Sequence, residues 1–482
     1  MYHEHFLRSF RYSMKSLWLL IFPIIRGVSA FRFNPEGFYA WVRGAWMDIF
    51  VFGIILLYGL VRWYCSRITL TDNAITHTEG IFFKISRTIP FDKISSASTE
   101  TLFFLFPLRA TVVCCDTRAG FFKSTDMRIL VSRDVANKIM SRIPNVKHEN
   151  RIKDIPVPTF RSVLLFAFFF SSGFSGAVYL AAFFFKGGDM AHDIIGMSLD
   201  RINKTTDRIS ETALLKIPRT AILVGILFIV AWLLSFTMNV VKYYKFRMTA
   251  DGEYISIACG LVKRRRYRIK ADHINYTDLR QNLLMKLRRA VTINISCPGY
   301  GLDSNLPVLL SINKKQKIDR GMEVFGVHTL GRPQYRPCWT SFFSYGGIPA
   351  SCAAAVYVLS QYAIERIPFL DKYLDFPVIM LEIPLLWFTA VKTVAHRTSG
   401  ISIYSKDIMI WCSKGTAFHT VVAKRKNIVK VEIQQTITQI PWKTCDMVIW
   451  FRGESRSRYK VKSMYLKDAR EIAEKLHHDI LV

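Results

Sequence analysis

Five cations fall within six residues of this sequence: Lys263, Arg264, Arg265 and Arg266, then Arg268 after Tyr267. A run this dense draws phosphate, on nucleic acid or on anionic lipid headgroups, where each cation near the surface is worth about 1 kcal/mol. Lys84 and Arg87 hold the corresponding strand of an earlier repeat and join the same candidate set. The competing reading of all seven is a solvated basic face whose charge only fixes membrane topology. Two more ionisable residues, Arg26 and Glu382, stand inside or beside apolar stretches. Charge in such places is costly and often functional. Arg26 also suits a snorkelling residue on a short span. Glu382, between Pro377 and Pro384, suits a polar helix–helix contact or a transport site.

Catalytic signatures are missing. The sequence carries no H-E-x-x-H, no G-x-S-x-G and no Walker-type glycine loop. Its nine cysteines include the adjacent Cys114-Cys115 but no C-x-x-C, so they read as small buried hydrophobes in a reducing compartment. The reading is a protein with no catalytic residues, no metal and no cofactor. His477-His478 closes a helix rather than holding a ligand.

The basic strand belongs to a repeat. Adding 180 carries Tyr64 onto Tyr244, Arg67 onto Arg247, Gly80 onto Gly260, Ile89 onto Ile269, Asp92 onto Asp272 and Arg109-Ala110 onto Arg289-Ala290, without a gap. A third copy begins near Ile401, with Ile428 in the place of Ile94 and Pro441-Trp442-Lys443 in the place of Pro107-Leu108-Arg109.

Each copy follows a pair of apolar stretches: 16–31 and 46–63, 163–185 and 221–241, 344–363 and 376–391. The strand-rich regions are 65–160, 242–340 and 392–482. Within the first, Asp72-Asn73 reads as a hairpin turn and 133–143 as a helix. The last helix, 465–480, has an apolar stripe of Leu466, Ala469, Ile472, Ala473 and Leu476. The loop 186–220 has the pattern of an amphipathic surface helix. The expected fold class is an α+β membrane protein: six transmembrane helices in three pairs, each pair followed by a small antiparallel β-sheet or barrel domain. The chain is 51% hydrophobic with a formal charge of +30, and the cations gather in the strand-rich regions. Positive-inside then places both termini and all three domains in the cytoplasm. Charge spread over three membrane-tethered domains argues against nucleic acid.

These features together resemble the bacterial pleckstrin-homology-like, membrane-flanked domain family. They are R-x-T, a glycine closing the hairpin, Ile89-Pro90-Phe91-Asp92-Lys93-Ile94, and a leucine-rich segment ending in P-L-R-A. Three units on six spans look like its YdbT type. The resemblance implies that each domain is a bent antiparallel sheet closed by a C-terminal helix, and it brings no catalytic residues. It implies a bacterial inner-membrane protein associated with the envelope and with tolerance of membrane-active antimicrobials. The partners expected are membrane lipids, a small membrane protein with one such domain, or further copies of the chain. The expected function is a non-catalytic scaffold at the membrane surface; the alternative is a transporter or flippase-like assembly using Glu382 and Arg26.

Overall fold

The computed structural model describes residues 1–16, 46–119, 125–144, 160–171, 219–251, 253–300, 307–312, 325, 331–367, 371–453 and 457–480. A short strand β1 (Tyr2–His3) and helix α1 (Leu7–Ser16) precede α2 (Trp46–Cys65). Next come β2 (Arg67–Leu70), β3 (Ala74–Glu79) and β4 (Ile85–Pro90), then β5 (Ile94–Leu102), β6 (Ala110–Thr117), β7 (Met127–Ser132) and α3 (Arg133–Arg142). After α4 (Phe160–Phe170) and α5 (Arg219–Tyr243) the pattern returns as β8 (Arg247–Ala250), β9 (Tyr254–Cys259), β10 (Lys263–Lys270), β11 (Tyr276–Gln281), α6 (Leu283–Leu287), β12 (Val291–Ser296) and β13 (Leu309–Ile312). It returns again after α7 (Ile348–Arg366) and α8 (Asp371–Thr398), as β14 (Gly400–Ile403), β15 (Asp407–Lys414), β16 (Ala417–Lys424), β17 (Ile428–Gln434), β18 (Thr444–Phe451), β19 (Arg458–Tyr465) and α9 (Leu466–Ile480).

Backbone conformation repeats along with sequence. A single 3-10 turn precedes each of β5, β11 and β17, at Phe91–Lys93, Ala271–His273 and Arg425–Asn427. Arg109, Arg289 and Lys443 all adopt the left-handed region, with φ of 49°, 52° and 47°. Gly80 and Gly260 share φ of 118° and 101°, and a Cβ there would strike the carbonyl oxygens of Phe83 and Lys263. Only glycine tolerates that geometry. The amides of Arg133 and Leu466 donate to the carbonyls of Arg109 (2.8 Å) and Lys443 (2.9 Å), tying each closing helix to its equivalent turn. The hairpin at Asp72-Asn73 and the helices over 133–143 and 465–480 form where the spacing predicts them. Ala469, Ile472 and Leu476 are fully buried along the α9 stripe.

The sheets depart from the expectation of three self-contained domains. Two of them cross from one unit into the next. Their strand orders are β7-β6-β5-β10-β9-β8 and β13-β12-β11-β16-β15-β14, flanked by a four-stranded sheet β1-β2-β3-β4 and a three-stranded sheet β17-β18-β19. Each unit thus splits its strands between two sheets. The buried face inverts where the units meet. Ala97 on β5 belongs to the first core, with Val113, Ile129 and Ile139. Its partner on β10 is Arg268, whereas the second core takes Tyr267 and Ile269 from the other face of that strand. The N-terminal segment docks on the first sheet. Buried Glu4 accepts a hydrogen bond from Ser66 Oγ at 2.9 Å and lies 3.5 Å from Arg8 Nε.

Six spans are more than the described residues supply. Among them one helical stretch, Trp339–Arg366, is long and apolar enough to cross a membrane by length and composition. The apolar parts of α2, α4 and α5 are shorter, at Phe50–Cys65, Phe160–Phe169 and Leu227–Tyr243. In α8, which contains the expected 376–391 span, Asp371, Lys372, Asp375 and Glu382 interrupt the apolar sequence. Most of the expected 16–31 span, the later part of 163–185 and the loop 186–220 lie outside the described residues.

Candidate functional site

Alternation along β10 sends its cations to opposite faces, because side chains change side at every residue. Lys263 and Arg265 turn toward the face of Tyr267, where they meet Glu100 of β5. Lys263 Nζ lies 2.8 Å and Arg265 Nε 3.4 Å from the Glu100 carboxylate, whose side chain is 7% exposed. Arg268, on the other face, donates from Nη1 to the carbonyls of Met140 and Ile143 at the end of α3. Burial lowers its pKa, and the charge of Arg266 adds to the shift. Three of the five cations in the run therefore join unit one to unit two.

Arg264 and Arg266 remain, opposite Thr101 and Thr99 of β5. With Arg109 and Arg133 they line a cavity of about 210 Å³ between β5, β10, the Phe103–Arg109 loop and the start of α3. The hydroxyl-bearing Thr99, Thr101 and Thr111 supply its polar floor, and no carboxylate lines it. Arg264 lies over the Phe106 ring, 4.7 Å from its centroid, an arrangement that orients the guanidinium. A neighbouring cavity of about 450 Å³ shares Thr99, Asn137 and Arg266 and adds Arg247. Four guanidiniums without a lining acid give the cavity a positive lining, and their planar forks suit phosphate oxygens.

The apolar surroundings locate this site. The hairpin between β9 and β10 is moored to the end of α5: the amides of Gly260 and Leu261 donate to the carbonyls of Tyr244 and Val241. Arg264 stands just inside that hairpin. Leu261 and Val262 at its tip are exposed, as are Phe103, Phe104 and Leu108 on the loop that supplies Arg109. Exposed apolar residues recur on some of the equivalent loops of the other units. Phe82 and Phe83 are 90% and 86% exposed on the first hairpin, and Ile437, Ile440 and Trp442 are exposed on the last loop.

Among the described residues the second junction puts different side chains at these positions. In its register Phe418 faces Gln281 and Thr420 faces Leu279, occupying the places of Arg264 and Arg266. The cation and the ring exchange positions: Lys286, at the place of Phe106, lies 4.2 Å from the centroid of Phe418. On the other face Asp278 accepts from His419 Nδ1 and Arg280 Nε, each at 2.9 Å. Burial alone would raise the Asp278 carboxyl, but His419 and Arg280 hold it below its ordinary range.

The remaining candidates fall elsewhere. Lys84 is exposed just before β4. Arg87, on β4, lies 3.3 Å from Glu79. Arg26 lies outside the described residues. Glu382 lines a separate cavity of about 680 Å³ between α7 and α8, and its Oε1 has no hydrogen-bond partner among the described residues. Burial pushes the Cys114 and Cys412 thiols up to about 12, and no group of His, Cys, Asp and Glu among the described residues is arranged to hold a metal. Sequence reasoning passed over Arg133, Glu100 and the threonines, which come from segments with no local charge pattern. Arg109 was visible as the arginine of P-L-R-A, but its part in the cavity was not.

The sequence profile described as bacterial PH domain matches residues 19–147 and 210–322. No curated protein and no solved structure matches the chain.

Proposed function

We propose a function from the premise that this chain belongs to the bacterial PH domain family: it is a non-catalytic scaffold that holds anionic phosphate headgroups at the inner face of a bacterial cytoplasmic membrane. The observation that carries the reading is the cavity of Arg109, Arg133, Arg264 and Arg266, flanked by the exposed apolar residues of two loops. Apolar and aromatic side chains of this kind favour the membrane–water boundary. A phosphate at the same depth meets guanidiniums already held in place. In this reading the chain has the YdbT-type arrangement of three cytoplasmic units on six spans, with both termini inside. Its role is in envelope stress or tolerance of membrane-active antimicrobials, as the resemblance implies.

The test uses the full-length protein in neutral detergent, titrated with short-chain phosphatidylglycerol and, separately, inorganic phosphate. Replacing both Arg264 and Arg266 by Ala removes about 2 kcal/mol, roughly thirtyfold in lipid affinity. The thermal midpoint is expected to hold, because both side chains are exposed. Unchanged lipid affinity in the double variant would reduce these cations to topology signals. Equal binding of free phosphate and lipid would assign the site to a soluble anion.

Glu382 supports a second reading. A carboxylate oxygen without a hydrogen-bond partner among the described residues, in a cavity between two apolar helices, is the feature a transporter or flippase-like assembly would use. Arg26 is its candidate counter-charge. Full activity of a stably inserted Glu382→Gln protein would eliminate this reading.

A further inference from the structure

The junction between units is made twice inside the chain by strands of the same kind. β5 pairs with β10 from Lys263↔Leu102 to Ile269↔Ser96, and β11 pairs with β16 from Tyr276↔Ala423 to Gln281↔Phe418. In both cases the strand after one unit's 3-10 turn bonds to the third strand of the next unit. One strand of each kind is left over. β17 is the outer strand of the last sheet, and β4 is the outer strand of the first. Five of the six β4 residues and four of the seven β17 residues are exposed. An edge of this sort presents unpaired N–H and C=O groups to another strand.

The two edges are the complementary halves of the internal junction. Adding 334 carries β5 onto β17: the irregularity between Ile94 and Ser96 falls on that between Ile428 and Lys430, and the pair Thr99↔Val113 falls on Ile433↔Met447. Subtracting 180 carries β10 onto β4. The register of the first junction then sets β17 against β4 with Glu432 opposite Arg87 and Gln435 opposite Lys84. Opposite charges placed directly across antiparallel strands stabilise the pair. Pro90, which has no N–H to give, lies beyond the last pair of that register. The residue ending the 3-10 turn reaches across both internal junctions. His273 Nδ1 is 2.8 Å from Ser95 Oγ, and Asn427 Nδ2 donates to the Asn275 carbonyl at 2.7 Å. In unit one that place is held by Lys93, a donor whose side chain is 73% exposed.

We propose that β17 of one copy of this chain pairs antiparallel with β4 of a second copy, in the register of the internal junctions. The contact is heterologous, head to tail, and fuses the last sheet of one copy with the first sheet of the next. A second copy is the occupant because every chain carries both halves, with opposite charges in register. The inference stands on strand pairing alone and does not depend on headgroup binding.

Two differently tagged full-length copies, with Cys65 and Cys352 changed to Ser, are co-expressed and oxidised in native membranes. One carries Arg87→Cys and the other Glu432→Cys. The proposal expects a disulfide-linked species bearing both tags, and none when both copies carry Arg87→Cys. In uncrosslinked material, Arg87→Glu lowers the fraction of associated chains severalfold, and Glu432→Arg in the same chain restores it. Absence of the mixed species, with both copies inserted at normal levels, overturns the proposal. So does a link from either cysteine to a smaller membrane protein in place of the second copy, or an equally strong link between two Arg87→Cys copies.

Discussion

Lys286 is the residue whose environment makes the sharpest statement about acidity. Burial lowers its ammonium to about 8, and its Nζ donates to Thr398 Oγ1 at 2.9 Å. An unfolded lysine titrates near 10.4. Between these two values the unfolded chain binds more protons than the folded one, so stability rises as pH increases from about 8 and levels off above the unfolded value. Below about 8 the folded protein bears the full cost of a charged amine there. Acylation followed by mass spectrometry checks this. Lys286 is expected to react at pH 8.5 well ahead of lysines of ordinary acidity, and an inert amine would contradict the lowered value. Nothing in the sequence around Lys286 announces this. The residue acquires its acidity from burial beside segments that include Phe418 and Thr398, each more than a hundred positions away.

Strands and helices were legible wherever alternation or a stripe named them. Tyr267 and Ile269 separate the faces of β10, and Leu466, Ile472 and Leu476 mark α9. The partners of the strands were not legible, because a pattern of burial says which face is inside but not which strand lies alongside. The dense cation run was read as one surface, whereas the pleat divides it between Glu100, the end of α3 and the arginine-lined cavity. Glu100 joins β5 to β10, and its removal tests that division. Glu100→Ala leaves Lys263 and Arg265 without their buried carboxylate, a loss of about 3 kcal/mol. Hydrogen exchange should quicken along β5 and β10 while β17–β19 keep their protection. Uniform loosening of both regions, or no change in either, would show that Glu100 is not what holds this junction.

At the scale of the molecule, the 180-residue period was legible because it needs no gap, and the third copy was legible mainly in its second half. The division of each unit between two sheets was not. A repeat is normally read as a bead that buries its own core, and here each six-stranded sheet draws on two beads. The N-terminal residues were missed for a related reason. Tyr2–His3 is too short to read as a strand, and it becomes one by adding to β2.

That sharing imposes a timetable on biosynthesis. About 160 residues separate Leu102 from its partner Lys263, so at 5–20 residues per second the nascent edge of β5 waits roughly 8 to 30 s for β10 to emerge. A chain halted at residue 245 contains β5 but not β10, and is expected to precipitate or be cleaved in cell-free translation with membranes. A chain extended to residue 300 supplies β10 and is expected to resist protease across β5. Equal resistance of the two would mean that β5 needs no partner. In the cell, the ribosome delivers an adhesive edge well before its cover, an interval in which nascent chains can pair with one another along β5.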